Sequence, residues 1–300
     1  MVELNNPLVS VIINCFNGEQ YLKQALKSVL NQSYKNWEII FWDNRSSDNS
    51  KDILSSFRDK RIKYFFAEKH TTLYEARNLA IQKSNGELIA FIDSDDLWDE
   101  HKLELQVSLF KDPKISLVYS NLWITKKNLE KKKLFIKKKS PSGFIYENLL
   151  DDYNVGIITT MFRKNITNQS SKIFDERFSI IGDFDFFLKL SKSHYFHYIN
   201  KPLAYYRIHD KNFSSIFKDQ EMQEFDIWLN ENKNIINPQK FNKILQKINL
   251  RKLLHYKFNE DYKNCLIIFK QNFSNISAIK MLVIIFTPLF ILKKISWFHS

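Results

Sequence analysis

Cysteine and glycine are scarce in this 300-residue sequence, and their scarcity argues against several kinds of cofactor site. The two cysteines, Cys15 and Cys265, lie far apart and neither belongs to a C-x-x-C pair, which disfavours thiolate metal sites and dithiol redox centres. The five glycines form neither G-x-x-x-x-G-K-[ST] nor G-x-G-x-x-G, which disfavours P-loop and dinucleotide-binding enzymes. Because Cys15 lies in an apolar run, we expect a buried thiol in a reducing compartment.

A long hydrophobic run is also missing. The N-terminus has no basic region and the apolar stretch 8–13 is too short for a signal peptide, so we expect a first strand there and a cytoplasmic chain. Near the other end, residues 281–292 are uncharged and mostly apolar. As a helix they would span about 18 Å, well short of the roughly 30 Å hydrocarbon core of a bilayer, and Pro288 would kink them.

Two placements of residues 281–292 stay open. The segment can lie in the membrane interface, or it can form a buried C-terminal helix. We favour the interface, which would place the protein peripherally on the inner face of the cell membrane. The side chains expected to contact the headgroup region are Lys280, Lys293, Lys294, Trp297 and Phe298.

Positive charge is concentrated in one segment. The net charge is +12, and eight lysines fall within residues 126–139, KKNLEKKKLFIKKK. This run can be a solvated lysine-rich loop or hairpin, or it can contact a membrane surface, and the sequence does not decide between them. No recognised nucleic-acid-binding module accompanies the lysines, so we expect no nucleic-acid partner.

The first 120 residues alternate between strand and helix patterns. The predicted strands and helices follow one another at residues 8–15, 21–30, 38–42, 51–57, 62–67, 73–83, 87–92, 103–110 and 115–120. Such alternation predicts an α/β fold with a mainly parallel sheet flanked by helices. Ligands of these sheets bind beyond the carboxyl ends of the strands, so we expect the site just after Cys15, Trp42 and Ile92.

The remainder of the chain is less regular. A helix is predicted at residues 183–191, and strands at 195–199 and 203–208. From Ile216 onward the apolar residues recur at helical spacing. We therefore expect a first domain over residues 1–215 and a helical C-terminal region over residues 216–300.

An acidic cluster closes the fourth predicted strand. Asp93, Asp95 and Asp96 would repel one another unless a cation lay among them, and the first two project to the same side of an extended segment. This arrangement suits Mg²⁺ or Mn²⁺; magnesium characteristically takes only one or two carboxylates and keeps water and substrate phosphates as further ligands. Alternatively, Asp96 is the N-cap of a following helix, with Glu100 in its first turn.

Two further segments carry candidate polar groups. Residues 42–48, WDNRSSD, follow a strand at the same sheet edge, where short side chains such as that of Asn44 can pair with a nucleobase. Asp183 follows a glycine and opens an apolar helix, and a carboxylate beside aromatic rings can act as a general base. The simpler alternatives are an ordinary turn with Ser47 or Asp48 as a helix cap, and a plain N-cap at Asp183.

Taken together, these segments resemble glycosyltransferase family 2 on the GT-A fold. The resemblance covers residues 7–215 and is strongest over the first 110. It is carried by four stretches in the family order: VSVIINCFNGEQYLKQALKSVLNQSYKNWEIIFWDNRSSD, EARNLAIQKSNGELIAFIDSDD, GDFDFFLKL and YYRIH.

The resemblance implies how a nucleotide-sugar donor would be bound. Phe16 stands where the family often has a tyrosine that stacks on the uracil ring. Arg77 and Asn78 match a segment that lies near the donor. Asp93 looks like the acid that contacts the ribose or the metal.

The resemblance also implies a metal centre and a catalytic base. Asp95 looks like a direct ligand of a divalent cation, and His209 matches a late histidine near the metal or the diphosphate. Asp183 resembles the catalytic base that takes the acceptor proton. One displacement at the anomeric carbon would then invert its configuration.

Two positions depart from the family pattern. Asn44 stands where the family usually has the aspartate that reads the base; an amide can still accept from a ring N–H, so Asn44 is expected to bind the donor with an altered base preference. Gly182 stands where the residue before the base is usually acidic. Since that residue is thought to position the acceptor, its absence bears on the acceptor class.

The resemblance thus implies an inverting glycosyltransferase that moves a sugar, expected to come from a UDP-sugar, to an acceptor hydroxyl. Bacterial relatives commonly act on glycan or lipid-linked acceptors in surface polysaccharide synthesis. One alternative is a sugar nucleotidyltransferase, disfavoured because residues 14–18, NCFNG, hold a single glycine and no basic residue. Another is a catalytically inactive, membrane-associated sugar-nucleotide-binding protein, disfavoured because Asp95 and Asp183 are both present.

Overall fold

The computed structural model describes residues 6–130, 132–167, 172–212, 216–272 and 277–296. The chain divides into two compact units, Met1–Ile216 and Phe217–Ser300. The first unit is α/β and the second is helical.

Within the described residues, the first unit contains one nine-stranded sheet. Its spatial order is β3-β2-β1-β4-β8-β6-β9-β5, with β7 beside β6. The strands are β1 (Val9–Cys15), β2 (Trp37–Asp43), β3 (Ile62–Phe66), β4 (Leu88–Phe91), β5 (Leu97–Trp98), β6 (Ile115–Lys126), β7 (Lys132–Leu134), β8 (Met161–Arg163) and β9 (Tyr195–Ile208).

The α/β class is confirmed, and the sheet combines parallel with antiparallel pairs. Strands β3, β2, β1 and β4 are parallel to one another, as are β6 and β9. The pairs β4–β8, β6–β8, β6–β7 and β5–β9 are antiparallel, but each spans only two or three residue pairs. The sheet is therefore mainly parallel, as predicted, and antiparallel pairs join it at the strands that follow residue 92. Before residue 92 a helix returns the chain after each strand, whereas β7 follows β6 through a short turn and needs no crossover.

Six α-helices accompany the sheet among the described residues of the first unit. The long ones are amphipathic: α1 buries Tyr21, Leu22, Ala25, Leu26 and Val29 on one face at helical spacing. The helices are α1 (Glu19–Leu30), α2 (Ser50–Ser55), α3 (Leu73–Gln82), α4 (Lys102–Val107), α5 (Tyr146–Asp151) and α6 (Gly182–Leu190).

Several boundaries differ from the predictions for local reasons. The two strands predicted between residues 195 and 208 are one strand, β9, whose register against β6 shifts where Asn121 pairs with Pro202. Pro202 has no N–H to give to the ladder, so the pattern there is broken without ending the strand. The lysine-rich segment is a hairpin, in which β7 folds back on the end of β6.

The second unit is built from five described helices. They are α7 (Lys218–Asn232), α8 (Pro238–Phe258), α9 (Tyr262–Gln271), α10 (Ser277–Phe286) and α11 (Leu289–Ser296). Leu253, Cys265, Ile268 and Met281 form their buried apolar cluster.

The two cysteines, Cys15 and Cys265, are both buried free thiols. The prediction that Cys15 is buried is therefore confirmed.

The apolar segment near the C-terminus is interrupted where Pro288 was expected to kink it, between α10 and α11. Met281 is buried in the apolar cluster, while Ile279, Val283, Phe286 and Phe290 are each more than half exposed. None of the helices among the described residues combines the length and apolarity that crossing a bilayer requires. The predicted aromatic anchors Trp297 and Phe298 lie outside the described residues.

Candidate active site

The carboxyl ends of β1 and β2 carry two loops that are bonded to each other. The backbone N–H of Asn17 donates to Ser46 Oγ at 3.0 Å, and that of Ser47 donates to Asn17 Oδ1 at 2.8 Å. Asp48 accepts from the N–H of Glu19 at 2.9 Å, at the start of α1. Its other oxygen, Oδ1, accepts from the N–H of Ser50, the first residue of α2, at 3.0 Å. Asp48 therefore makes the cap-type contact that was predicted and also links the two neighbouring loops.

Phe16 presents an aromatic face at this edge. Its side chain is 53% exposed, and its ring centroid lies 4.4 Å from that of His70. His70 Nδ1 is 2.8 Å from the backbone oxygen of Asn44, which anchors the imidazole. The two rings offer a surface on which a planar base can stack, and His70 is a residue that the sequence did not single out.

The amide of Asn44 makes contacts other than the predicted base contact. Its Nδ2 donates to the carbonyl of Thr71 at 2.9 Å, and its Oδ1 accepts from the N–H and the hydroxyl of Thr71, each at 3.2 Å. Since both ends of this buried amide are used, Asn44 orders the segment that carries His70. A contact between Asn44 Oδ1 and a nucleobase would compete with these bonds, whereas Nδ2 has a second N–H to donate.

The acidic loop after β4 divides its three carboxylates among different partners. Asp93 Oδ1 accepts from Arg77 Nη2 at 2.7 Å, and Asp95 Oδ2 lies 2.8 Å from His209 Nε2. Asp96 is buried and accepts from the backbone N–H of Arg207 at 2.8 Å. The N-cap alternative for Asp96 is wrong, because the residues that follow form strand β5 and not a helix.

Arg207 holds this loop in place from β9. Its Nε donates to the backbone oxygen of Asp95 at 2.9 Å, and its Nη2 donates to Gln24 Oε1 at 2.6 Å. The guanidinium lies 4.3 Å from the ring centroid of Tyr21. Arg207 thus ties the acidic loop to α1, a role that the sequence analysis missed although the residue stands two positions before His209.

Asp183 lies in the first turn of α6 and receives a hydrogen bond from α3. Tyr74 Oη is 2.8 Å from Asp183 Oδ1, and the N–H of Phe184 reaches the same oxygen at 2.9 Å. The N-cap position of α6 is Ile181 and not Asp183, so the plain N-cap alternative is wrong. The Arg77 guanidinium lies 5.0 Å from the Tyr74 ring centroid, which links Asp183 to Asp93 through two side chains of one helix.

Burial shifts the acidic groups of this network. Burial raises the pKa of Asp183 and of Asp93, and in both cases the positive charge of Arg77 limits the rise. For Asp96, burial raises the pKa well above its usual range, and the nearby charges of Asp95 and Asp93 add to the effect. These carboxylates hold protons more tightly than ordinary surface acids do.

Asn78 supports the polypeptide that leads to α6. Its Nδ2 donates to the carbonyl of Phe174 at 2.9 Å and lies 3.2 Å from Glu176 Oε1. Its Oδ1 accepts from the N–H groups of Ile173 and Phe174 at 3.1 and 3.0 Å. The side chain is 1% exposed, so direct donor binding by Asn78 conflicts with its bonding, and we assign it a supporting role.

Asp95 and His209 could hold a divalent cation whose remaining ligands come from a bound substrate. In the described part of the chain, no group of three or more His, Cys, Asp or Glu side chains forms a ready-made metal site. Asp95 and His209 form a pair, and the carboxylate of Asp95 is 29% exposed. Magnesium typically takes one or two protein carboxylates together with water and phosphate oxygens, so this pair suits a cation completed by a diphosphate.

Comparisons of the sequence agree on the family. The model of glycosyl transferase family 2 matches residues 10–166. A UDP-Glc:alpha-D-GlcNAc-diphosphoundecaprenol beta-1,3-glucosyltransferase of Escherichia coli, WfgD, is 34% identical over 188 residues, which cover 63% of this chain and 70% of that protein.

Solved structures agree on the fold. The S. aureus TarS fragment 1–349 in complex with UDP superposes with a TM-score of 0.62 at 18% identity, covering 86% of this chain and 74% of that one. The mannosyltransferase PcManGT of Pyrobaculum calidifontis, in complex with GDP-Man and Mn²⁺, gives a TM-score of 0.57 at 14% identity, covering 92% and 79%. The predicted GT-A arrangement is confirmed, and the chain is a member of glycosyl transferase family 2.

Proposed function

We propose that this protein is an inverting glycosyltransferase that transfers a sugar from a nucleotide diphosphate donor to an acceptor hydroxyl. One observation carries the proposal: Arg77 and Tyr74 of α3 join Asp93, in the acidic loop, to Asp183, the candidate base. A group that could bind the donor and a group that could take a proton therefore belong to a single network.

The donor is proposed to be a UDP-sugar. The E. coli relative is named for UDP-Glc, and the superposed TarS fragment holds UDP. In this chain the rings of Phe16 and His70 would stack on the base, because any planar base has an apolar face. Asn44 would act by holding the His70 segment in place, and the ribose would be bound near Asp93.

A divalent cation, Mg²⁺ or Mn²⁺, is proposed to bind between Asp95 and His209. When bound, such a cation supplies Lewis-acid stabilisation of the negative charge on the departing diphosphate. To act as a ligand, His209 would exchange its hydrogen bond with Asp95 for the metal. Arg207 would keep the loop in the geometry that this exchange needs.

Asp183 is proposed as the base that removes the acceptor proton. The acceptor oxygen would attack the anomeric carbon from the face opposite the diphosphate, so that a single displacement inverts the configuration. The raised pKa of Asp183 makes the carboxylate a stronger base than an ordinary aspartate, while Arg77 keeps it ionisable.

The acceptor is proposed to be a glycan or lipid-linked saccharide of a surface polysaccharide. The E. coli relative is named for an acceptor that carries a diphosphoundecaprenol lipid. The exposed face of α10 and α11 would lie on the headgroup region, because Ile279, Val283 and Phe286 share one side of α10 and Phe290 follows in α11. The excess positive charge of the chain would favour an anionic surface, and the buried free thiols fit its cytoplasmic side.

A donor screen tests the enzymatic proposal. Purified protein is incubated with UDP-, GDP- and dTDP-sugars, with and without Mn²⁺ or Mg²⁺, and released nucleotide is measured. We expect nucleoside diphosphate release that is strongest with UDP-sugars and depends on the cation. Formation of nucleoside triphosphate and sugar 1-phosphate when pyrophosphate is added to the donor would indicate a nucleotidyltransferase. No turnover with any donor and acceptor would contradict the proposal.

Vesicle sedimentation tests the membrane contact. Wild type should bind vesicles that contain anionic lipid, and Phe286→Ser/Phe290→Ser should bind them at least about tenfold more weakly, since each phenylalanine contributes on the order of 1.5–3 kcal/mol when buried. Leu266→Ser, an exposed apolar change on α9, is the control. Equal binding by all three proteins would contradict the contact.

A further inference from the structure

The residue directly before the candidate base has no room for a side chain. A Cβ atom built on Gly182 would lie 2.5 Å from Cγ and from Cδ2 of the Tyr74 ring. Real Cβ atoms do not approach ring atoms so closely. Gly182 is therefore required by its neighbour and not by its backbone conformation.

The Tyr74 ring is itself held in place. It is buried, and its centroid lies 5.2 Å from that of Phe174 and 5.0 Å from the Arg77 guanidinium. Packed interiors leave little space for an aromatic ring to move. The clash with a larger residue at position 182 would thus be relieved by main-chain movement, which would carry Asp183 with it.

The Tyr74 hydroxyl lies within hydrogen-bonding distance of two acceptors. Its Oη lies 2.8 Å from Asp183 Oδ1 and 3.1 Å from the backbone oxygen of Ile180. A hydrogen bond to an ionised carboxylate is stronger than one to a neutral carbonyl, so the hydroxyl donates to Asp183 when Asp183 is charged.

The hydrogen bonds to Asp183 go to one of its oxygens and leave the other able to accept a proton. Tyr74 and the N–H of Phe184 both donate to Oδ1. No hydrogen bond from the described residues reaches Oδ2, which is therefore the oxygen to receive a proton from an acceptor hydroxyl. Fixing Oδ1 fixes the direction in which Oδ2 points.

We propose that Tyr74 is the positioning residue of the base and that Tyr74 and Gly182 act as a coupled pair. The ring fills the space next to position 182, and the hydroxyl at its end orients the Asp183 carboxylate. The inference rests on the proposed role of Asp183 as the base. The other titratable groups that act on Asp183 are Arg77, Asp93 and Tyr153.

Tyr74→Phe removes the hydroxyl and keeps the ring. We expect kcat to fall about tenfold with little change in donor KM, since a hydrogen bond to a charged group is worth roughly one such factor. The acidic limb of the kcat–pH profile should move to higher pH, because the ionised form of Asp183 loses a donor. Tyr119→Phe is the matched control: it removes another buried hydroxyl, bonded to the Pro141 carbonyl at 2.8 Å, and should leave kcat and the pH profile unchanged.

The outcomes separate this inference from the proposed function. If Asp183→Asn is inactive and Tyr74→Phe has the kcat and pH profile of the wild type, the positioning role is wrong and the base assignment stands. If Asp183→Asn is fully active, the base assignment fails, and the positioning role fails with it.

A double-mutant cycle tests the coupled pair without any assay of activity. Gly182→Ala should lower the melting temperature strongly in the wild-type background, because the new methyl group meets the Tyr74 ring. In the Tyr74→Ala background the same change should cost much less, since the ring is gone. Additive losses in the double variant would show that the two positions are independent and would overturn the coupling.

Discussion

The two halves of the α/β unit reach the candidate site by different routes. The parallel half, β1 to β4 with α1 to α3, delivers one loop after each strand to a single sheet edge. The mixed half, residues 97–209, delivers Asp183, Arg207 and His209 through contacts with partners more than a hundred positions earlier. In the proposed mechanism the parallel half thus supplies the donor side of the site, and the mixed half supplies the groups that fix and complete it.

This comparison predicts the largest loss of activity from a change in the mixed half. Asp183→Asn keeps the shape of the side chain and removes the proposed base, so kcat/KM should fall between about a hundredfold and ten-thousandfold. Steady-state kinetics with donor and acceptor measures the effect. Asp152→Asn, an exposed acid of the same half, should remain within about twofold of the wild type. Comparable activity in the two variants would remove Asp183 from the mechanism.

A change in the acidic loop of the parallel half should have the next largest effect. Asp95→Asn should lower kcat/KM about a hundredfold and raise the Mn²⁺ or Mg²⁺ concentration needed for half-maximal activity, because a neutral amide is a weaker ligand for a hard cation. Titration of the cation in the activity assay measures both quantities. Asp210→Asn changes an exposed acid that pairs with Lys127 and serves as the control. An unaltered metal requirement in Asp95→Asn would place the cation elsewhere.

The contact between the halves should matter less than the reacting groups. Arg207→Lys keeps the charge and loses the forked bonds to the Asp95 carbonyl and Gln24, so we expect kcat/KM to fall about tenfold. Arg163→Lys is a matched control, because Arg163 is also buried and donates to the backbone oxygens of Ile115 and Phe110, away from the acidic loop. Both variants should lose stability, but Arg163→Lys should keep its kcat/KM. Equal kinetic losses would mean that Arg207 acts through stability alone.

The smallest expected effect is on the pH dependence of stability. Asp96 has a raised pKa in the folded protein, so the folded state binds more protons than the unfolded state between about pH 4 and that raised value. Stability is therefore lost as the pH rises through this window. In Asp96→Asn the decrease in melting temperature from pH 5 to pH 8 should be smaller by a few degrees.

Thermal scans across that pH range measure the difference, with Asp59→Asn as the control. Arg61 lowers the pKa of Asp59. The control should therefore lose as much melting temperature between pH 5 and pH 8 as the wild type does. If the melting temperature of Asp96→Asn changed with pH as that of the wild type does, the pKa of Asp96 would not be raised in the folded protein.

The sequence predicted the parallel half better than the mixed half for a physical reason. Each βα unit of the parallel half is encoded in neighbouring residues, and Asp93 and Asp95 stand where a strand ends. Asp183 and His209 could also be named from family motifs. The bonds that orient them could not, because Tyr74 and Arg207 look like ordinary helix and strand residues until the chain folds.

Asn44 and Asn78 show that a position in a family motif does not predict what a side chain contacts. Both stand at motif positions next to the site, which favoured a contact with the donor. The structure uses each amide to hold a segment of backbone, since a buried amide gains most where several backbone groups need partners. Position in a motif therefore located the neighbourhood of the site but not the task of each side chain.

The close approach of Gly182 to Tyr74 also constrains the order in which this protein can change over generations. A side chain at position 182 that meets the aromatic ring would displace the main chain and Asp183 with it. To keep Asp183 in place, a smaller residue at position 74 would have to arise first, at the expense of the hydroxyl that reaches Asp183. Descendants of this chain that acquire an acidic residue before the base should therefore have lost the tyrosine earlier in their history.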